Sequence, residues 1–468
     1  MNLSEPTQEP LGGRPNPDSR CSIDDFDYQI KYQRAFEALL WSLPSVQVQG
    51  GRNATFDYLG MRDCDILAMS GVATPKFETW TANSSTPYIV AYADLKGGPV
   101  VLEVPPAGPD GSLYGQVVNA WQASIADIGP SGIDGGDGAK VLFTAPDYDE
   151  AIPAGHLHVR SSSYRIVMAL RSVPGARKTP ADAYTYARRL RMYPLSQGHT
   201  PTEQRFVDAV DTWYPTLLPY DERYFELLHQ TITYENARPT DRHMLGLLKS
   251  LGIERGKPYA PDEVAVGAMR QAAIDAWFHL QERLDNLPRR MYAWPDRQYV
   301  PLLLPDRNRE FTFEYPDAID VDGRALAFFW CTLVPAHLAK HPAVYYLVAM
   351  ADSNGRQLEP GAQYRITIPR EMPVEQFWSL SVYDRATMAF IYTESMRTTL
   401  DSYGLDRMVK NPDGSVTLYT GPTPPPGLES NWIPTGGKRP MPTLRFYGPT
   451  SSFYDGDFKM PDFERMAT

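Results

Sequence analysis

The sequence predicts a mainly β protein with α content: two antiparallel domains of β-sandwich or jelly-roll type joined by a helical connector. Three observations carry this. Short apolar segments toward both ends are separated by Gly/Pro/Asp loops such as GPDGS and DGGDG, the spacing of antiparallel strands. From Pro180 to about Leu287 the apolar period changes to that of helices. Proline makes up 43 of 468 residues, and Tyr (28) outnumbers Phe (18). That suits short strands with ordered loops, because Pro punctuates strands and Tyr packs a half-buried sheet.

A chain this long exceeds what one core serves. The reading divides it into a flexible leader (1–26), an N-terminal helix plus β-domain (27–175), a helical connector (176–335) and a C-terminal β-sandwich (336–468). After the leader, DYQIKYQRAFEALLWS carries a helical apolar face (Tyr28, Tyr32, Phe36, Leu39, Leu40) that is expected to end before Pro44. Strands are expected over Tyr88–Ala93, Val100–Val104, Tyr114–Ala120, Lys140–Thr144 and His156–Arg160. The connector holds four helical stretches, starting with ADAYTYARRLRMY and ending with PDEVAVGAMRQAAIDAWFHLQERL. In the last, Pro261, Asp262 and Glu263 supply the first turn, and Met269, Ala273, Ala276, Trp277, Leu280 and Leu284 form the buried stripe. Gly252 closes the helix before it, and another helix is expected at Gly323–Cys331. VYYLVAMAD, YRITIP, FWSLSVYD, MAFIYT, VTLYT and LRFYG then read as strands.

A formal net charge of −11 argues against a nucleic-acid backbone or an anionic membrane surface as partner. Cys21, Cys64 and Cys331 are widely spaced and form no CxxC pair, against a disulfide framework or thiolate zinc site. No apolar run approaches the roughly 20 residues of a membrane span, and the N-terminus lacks the apolar core of a signal peptide. A cytoplasmic protein is the expectation. No GxSxG elbow, P-loop or GxGxxG motif is present. His156 and His158 share a strand face without a third ligand, and His337 and His341 lack the glutamate of HExxH. GIDGGDG reads as a turn, so no metal and no cofactor are expected.

Alternation sorts the C-terminal strands into faces. Trp378, Leu380, Val382, Tyr364, Ile366, Ile368, Val416, Leu418, Leu444 and Phe446 read as core. Tyr383, Tyr419, Arg445 and Tyr447 are left on an outward face that suits either ligand binding or a subunit interface.

FWSLSVYD with NPDGSVTLY, PPGLESNWIP and TLRFYG resembles the bacterial domain of unknown function 1214. TANSSTPYIVAYADLKGGPVVLEVPP, LYGQVVNAWQASIADIG and PAGHLHVRSSSYRIVMALRSV resemble the domain of unknown function 1254. The resemblance covers about Tyr28 to Phe458 and implies two β-domains with a helical connector, but no activity. Two positions depart from the pattern. Ser85 and Asn119 stand where the family usually has aspartates, while Asn83, Thr86, Asp94, Trp121, Arg160 and Arg171 are retained. Those acids served either chemistry, which this chain would then have lost or altered, or turn capping, which Ser and Asn also perform.

The leading expectation is a small-molecule enzyme without a redox cofactor: a hydrolase, lyase or isomerase acting on an oxygenated ring or a carboxylated metabolite between the two β-domains. Tyr383, Asp384 and Arg445 are its candidate catalytic residues, and Asn83, Trp121, Arg160, Tyr419, Trp432 and Tyr447 its ligand-binding ones. The alternative is a non-catalytic carbohydrate- or ligand-binding protein, or a homo-oligomer assembled through the Tyr-rich face.

Overall fold

A computed structural model describes residues 19–174, 180–198, 203–303, 311–333 and 344–467. Most of the expected leader, and His337 with His341, lie outside them. Sheets occupy both ends of the chain, and helices dominate the middle.

Helix α1 (Phe26–Leu59) starts at Asp25, whose carboxylate accepts from Tyr28 N at 3.0 Å, and ends at Gly60 in the left-handed region (φ 60°). It runs through Pro44 instead of ending before it. Proline removes one helical hydrogen bond, yet Leu43, Val46 and Val48 are buried on either side, and that packing outweighs local propensity. Gly50 and Gly51 let the helix approach its neighbours. A Cβ on Gly51 would lie 2.8 Å from the Tyr92 hydroxyl, and one on Gly50 2.9 Å from Leu218.

Two sheets follow. The first has six strands: Phe206–Val207, Ile66–Ala68, Tyr88–Asp94, Arg165–Pro174, Gly111–Asn119 and Ser124–Ile128, in spatial order. The second has four: Arg191–Pro194, Val100–Val104, Ala139–Thr144 and Leu157–Arg160. They share a core that includes Ile89, Leu102, Val117, Phe143 and Met168. Helix α2 (Pro180–Ala187) is shorter than expected, because Arg191–Pro194 leaves the helical block to pair with Val100–Val104. That edge offered backbone partners, and the stretch follows them rather than its helical pattern.

Helices α3 (Arg223–Tyr234), α4 (Arg242–Leu248), α5 (Glu263–Asp285) and α6 (Val321–Phe329) form a layer around α1. Asp262 caps α5 through Ala265 N at 2.7 Å, and the expected stripe of α5 packs on α1, buried except for Trp277, which is half-buried. The C-terminal part has a five-stranded sheet: Tyr299–Pro301, Val344–Ala349, Pro440–Pro449, Val374–Asp384 and Thr399–Asp401. A four-stranded sheet of Trp432–Pro434, Val416–Gly421, Tyr364–Ile368 and Glu464–Arg465 accompanies it. Trp378, Leu380 and Phe446 from one and Ile366, Ile368 and Leu418 from the other close a common core.

MAFIYT is not a strand. A turn occupies its start, with Met388 N donating to Asp384 O at 2.7 Å and Met388 at φ 61°, and only Phe390 makes a bridge, to Tyr383. Met388, Ala389, Phe390 and Ile391 are all buried, so apolarity there reports a core-filling loop. Among the described residues no helix is long and apolar enough to cross a membrane.

Candidate functional site

Strand register builds two matching ladders. In the six-stranded sheet Arg171 lies directly between Tyr88 and Tyr114 on the neighbouring strands. In the five-stranded sheet Arg445 lies between Tyr346 and Ser379. Residues opposite one another share a face, so each sheet presents a guanidinium framed by its neighbours. The ladders meet at a cavity lined by Arg171, Arg445, Tyr88, Tyr114 and Tyr346.

Arg445 is 2% exposed. Its Nη1 donates to Ser381 Oγ at 2.9 Å, and its Nη2 to the carbonyls of Thr81 and Ala82 at 2.8 and 3.0 Å. Tyr383 donates its hydroxyl to the same Ala82 carbonyl. Asn83 Nδ2 donates to Tyr447 Oη at 2.7 Å and to Thr86 Oγ1 at 2.9 Å, while Asn83 N donates to Tyr88 Oη at 2.8 Å. The Thr81–Thr86 loop of the N-terminal region is thus tied to the inner face of the C-terminal sheet. Thr81 holds φ 42° and Leu333 φ 46°, and both line the cavity. A β-branched residue at positive φ is strained and persists only where its surroundings over-determine it. Here Arg445 grips the Thr81 carbonyl, and Thr81 N donates to Met388 O at 2.7 Å.

The cavity holds about 110 Å³, and apart from its polar groups the wall is apolar, with Leu302, Leu303 and Val344 among its residues. Among the described residues its lining has two guanidiniums and no carboxylate or imidazole. Nε of Arg445 and Nη1 of Arg171 are buried without a hydrogen-bond partner among the described residues. Arg171 has no ion pair among the described residues, and its guanidinium sits 3.1 Å from the Tyr88 ring centroid. Burial pushes the Tyr383 hydroxyl up to about 12, against the opposing pull of Arg445; burial likewise takes Tyr114 to about 12, with Arg171 pulling down. Burial also raises Tyr346 and Tyr447. At neutral pH these rings are therefore uncharged and cannot neutralise the two cations.

Of the residues singled out from sequence, Tyr383, Arg445, Tyr447 and Asn83 converge here. The others do not. Asp384 accepts from Ala386 N at 3.0 Å and caps the turn that opens MAFIYT. Trp121 is buried in the helical layer, 4.9 Å from the Trp41 ring, with Arg238 stacked over it at 4.3 Å. Arg160 is exposed on the edge strand Leu157–Arg160 and donates to Pro146 O at 3.1 Å. Tyr419 pairs with Arg365 and Trp432 on the outer side of the four-stranded sheet, and Trp432 Nε1 donates to Gly421 O at 3.0 Å. The expected single face of Tyr383, Tyr419, Arg445 and Tyr447 is therefore two faces on two sheets, and its inner part is buried.

Asn119 accepts from Trp121 N and Ala123 N at 2.9 and 3.0 Å, and Asn83 from Ser85 N at 2.7 Å. Both act as turn caps. His156 and His158 bond to Pro153 O and Thr144 Oγ1. Missed as site residues were Arg171, Tyr88, Tyr114 and Tyr346. The signal was available: applied to YIVAYAD and RIVMALRSV, the alternation used for the C-terminal strands places Tyr88 and Arg171 on polar faces.

Residues 65–194 match the family model described as protein of unknown function (DUF1254), and residues 343–451 match that described as protein of unknown function (DUF1214). No curated protein matches the chain. Among solved structures, the VPA0106 protein from Vibrio parahaemolyticus is similar at 18% identity and a TM-score of 0.54, over 93% of this chain and 100% of that one. An uncharacterized protein from Burkholderia cenocepacia aligns at 11% identity with a TM-score of 0.41, over 94% and 95% of the two chains. At 18% identity the likeness to the Vibrio protein concerns fold alone.

Proposed function

The chain pairs the DUF1254 and DUF1214 regions in one polypeptide, and we propose that it binds a small carboxylate-bearing molecule in the cavity between them. The C-terminal sheets are read here as a sandwich whose inner sheet supplies one wall. The observation that carries the proposal is the pair of guanidiniums, Arg171 and Arg445, each with a buried N–H unpartnered among the described residues and with no carboxylate among the described residues of the lining. Uncompensated buried charge is costly and is ordinarily paired. A carboxylate accepting one N–H from each would satisfy both, through charge-assisted bonds stronger than neutral ones. The apolar remainder of the wall accommodates an unsubstituted body. A volume of about 110 Å³ is of the order of the roughly 150 Å³ apolar cavity that takes up benzene.

Binding is favoured over hydrolase, lyase or isomerase chemistry. General acid–base catalysis at neutral pH asks for a group that exchanges its proton there, and Tyr383 and Tyr114 are held near 12 by burial. In this reading the tyrosines orient the ligand.

Isothermal titration of the full chain with benzoate tests it. Saturable binding is expected, weakened about tenfold (about 1.4 kcal/mol) or more in Arg171→Met. Because the Arg171 side chain makes no hydrogen bond among the described residues, the fold of that variant should survive. Absence of saturable binding by wild type, or undiminished affinity in Arg171→Met, would overturn the assignment.

A further inference from the structure

The cavity that holds the two guanidiniums adjoins a second one of about 200 Å³, and Tyr114, Gly115 and Val344 line both. Their walls differ in chemistry. Cations line only the first among the described residues. The second presents Ser112, Ser131, Gln376 and the Asp127 carboxylate, and because Ser131 and Gln376 are exposed it lies at the surface. Tyr114 lines both, and Tyr447 of the other sheet lines the second, its hydroxyl held at 2.7 Å by Asn83, which lines the first. Burial keeps both rings uncharged at neutral pH. They offer flat faces and hydroxyls to a chain passing between the chambers and repel neither end of it.

We propose that the two cavities are the ends of one ligand site, and that its occupant is an elongated monocarboxylate whose far end is uncharged and carries a hydroxyl or amide. The proposal rests on the acid-binding reading of the first cavity. The acid sits between Arg171 and Arg445, the body passes Tyr114 and Tyr447, and the far group exchanges hydrogen bonds with Ser112 and Gln376. A second acid at the far end would meet the neutral hydroxyl of Ser112 and amide of Gln376 and no cation among the described residues. A compact anion such as acetate or inorganic phosphate would fill only the first chamber.

Titration calorimetry of the full chain with benzoate, cinnamate and para-coumarate separates the two readings. Para-coumarate, which extends benzoate and ends in a hydroxyl, should bind about tenfold or more tighter than benzoate, with cinnamate between them. Ser112→Leu, and independently Gln376→Leu at an exposed position where folding is not at risk, should remove most of that advantage and leave benzoate affinity within about twofold. If benzoate binds but para-coumarate binds no tighter, or if both variants leave the para-coumarate advantage intact, the two-chamber site is overturned while the acid-binding reading stands. If none of the three acids binds, or binding survives Arg171→Met, the acid-binding reading falls and this proposal falls with it.

Discussion

Two faces of the C-terminal region are written in nearly the same letters and have opposite fates. The inner face of the five-stranded sheet carries Tyr383, Arg445 and Tyr447, with Ser379 and Ser381; the outer face of the four-stranded sheet carries Arg365, Thr367, Thr417 and Tyr419. On the inner face every one of these is buried. On the outer face Arg365 is exposed and pairs with Glu464 at 2.7 Å, and Thr367 and Thr417 exchange a hydrogen bond at 3.1 Å in the open. Period-2 alternation separates a core face from a second face, but what covers the second face is decided elsewhere in the chain. Here the cover is the Thr81–Thr86 loop and the Tyr88–Arg171–Tyr114 ladder, more than 200 positions upstream.

The contrast is sharpest in the two arginines. Arg445→Met should cost about 3–5 kcal/mol of stability, because it strands the Thr81 and Ala82 carbonyls and Ser381 Oγ in a buried site. Arg365→Met should cost no more than about 1 kcal/mol, the range of an exposed ion pair. Urea unfolding of both variants measures the difference, and equal losses would erase the distinction between the faces.

Alkaline pH gives a second handle. The Tyr383 hydroxyl is raised from 10.0 to about 12 in the folded protein. Between those values the unfolded chain gives up the proton while the folded one keeps it. The contribution is therefore whole below pH 10 and is lost as pH climbs toward 12, by about 3 kcal/mol. Stability measured across that window should fall less steeply in Tyr383→Phe than in wild type. The same slope in both would mean that this ring is not sealed from water.

The smallest effect concerns hydroxyls alone. Tyr447→Phe removes the acceptor of the Asn83 bond and should cost about 1 kcal/mol, whereas Tyr419→Phe should stay within about 0.5 kcal/mol. Thermal midpoints of the pair, read side by side, decide it.

How much of this was legible in the sequence follows from which forces are local. The α5 stripe was readable because capping and a 3.6-residue period are both written within one stretch. Pro44 misled because the helix around it is held by burial against elements hundreds of residues away. MAFIYT read as a strand because its residues are apolar, yet a loop that fills a core is apolar too. For the site, Arg445 and Tyr447 stood out through alternation. Asp384 and Trp121 belonged to a turn cap and to an edge-to-face Trp pair under Arg238, partnerships that no spacing discloses. Arg171 stood out only as a retained position of the family pattern and not as a site residue, because its meaning arises only when its strand lies between Tyr88 and Tyr114.

Helix α1 has a consequence for how the chain is made. Its partners are far downstream: Lys31 joins Asp262 across 231 positions, Gln47 donates to Phe328 O across 281, and Arg324 donates to Trp41 O across 283. At about 5–20 residues per second, a nascent chain presents this helix without those contacts for roughly 10–60 s. Its apolar stripe therefore stays uncovered until those partners are made, and its docking is a late, long-range closure.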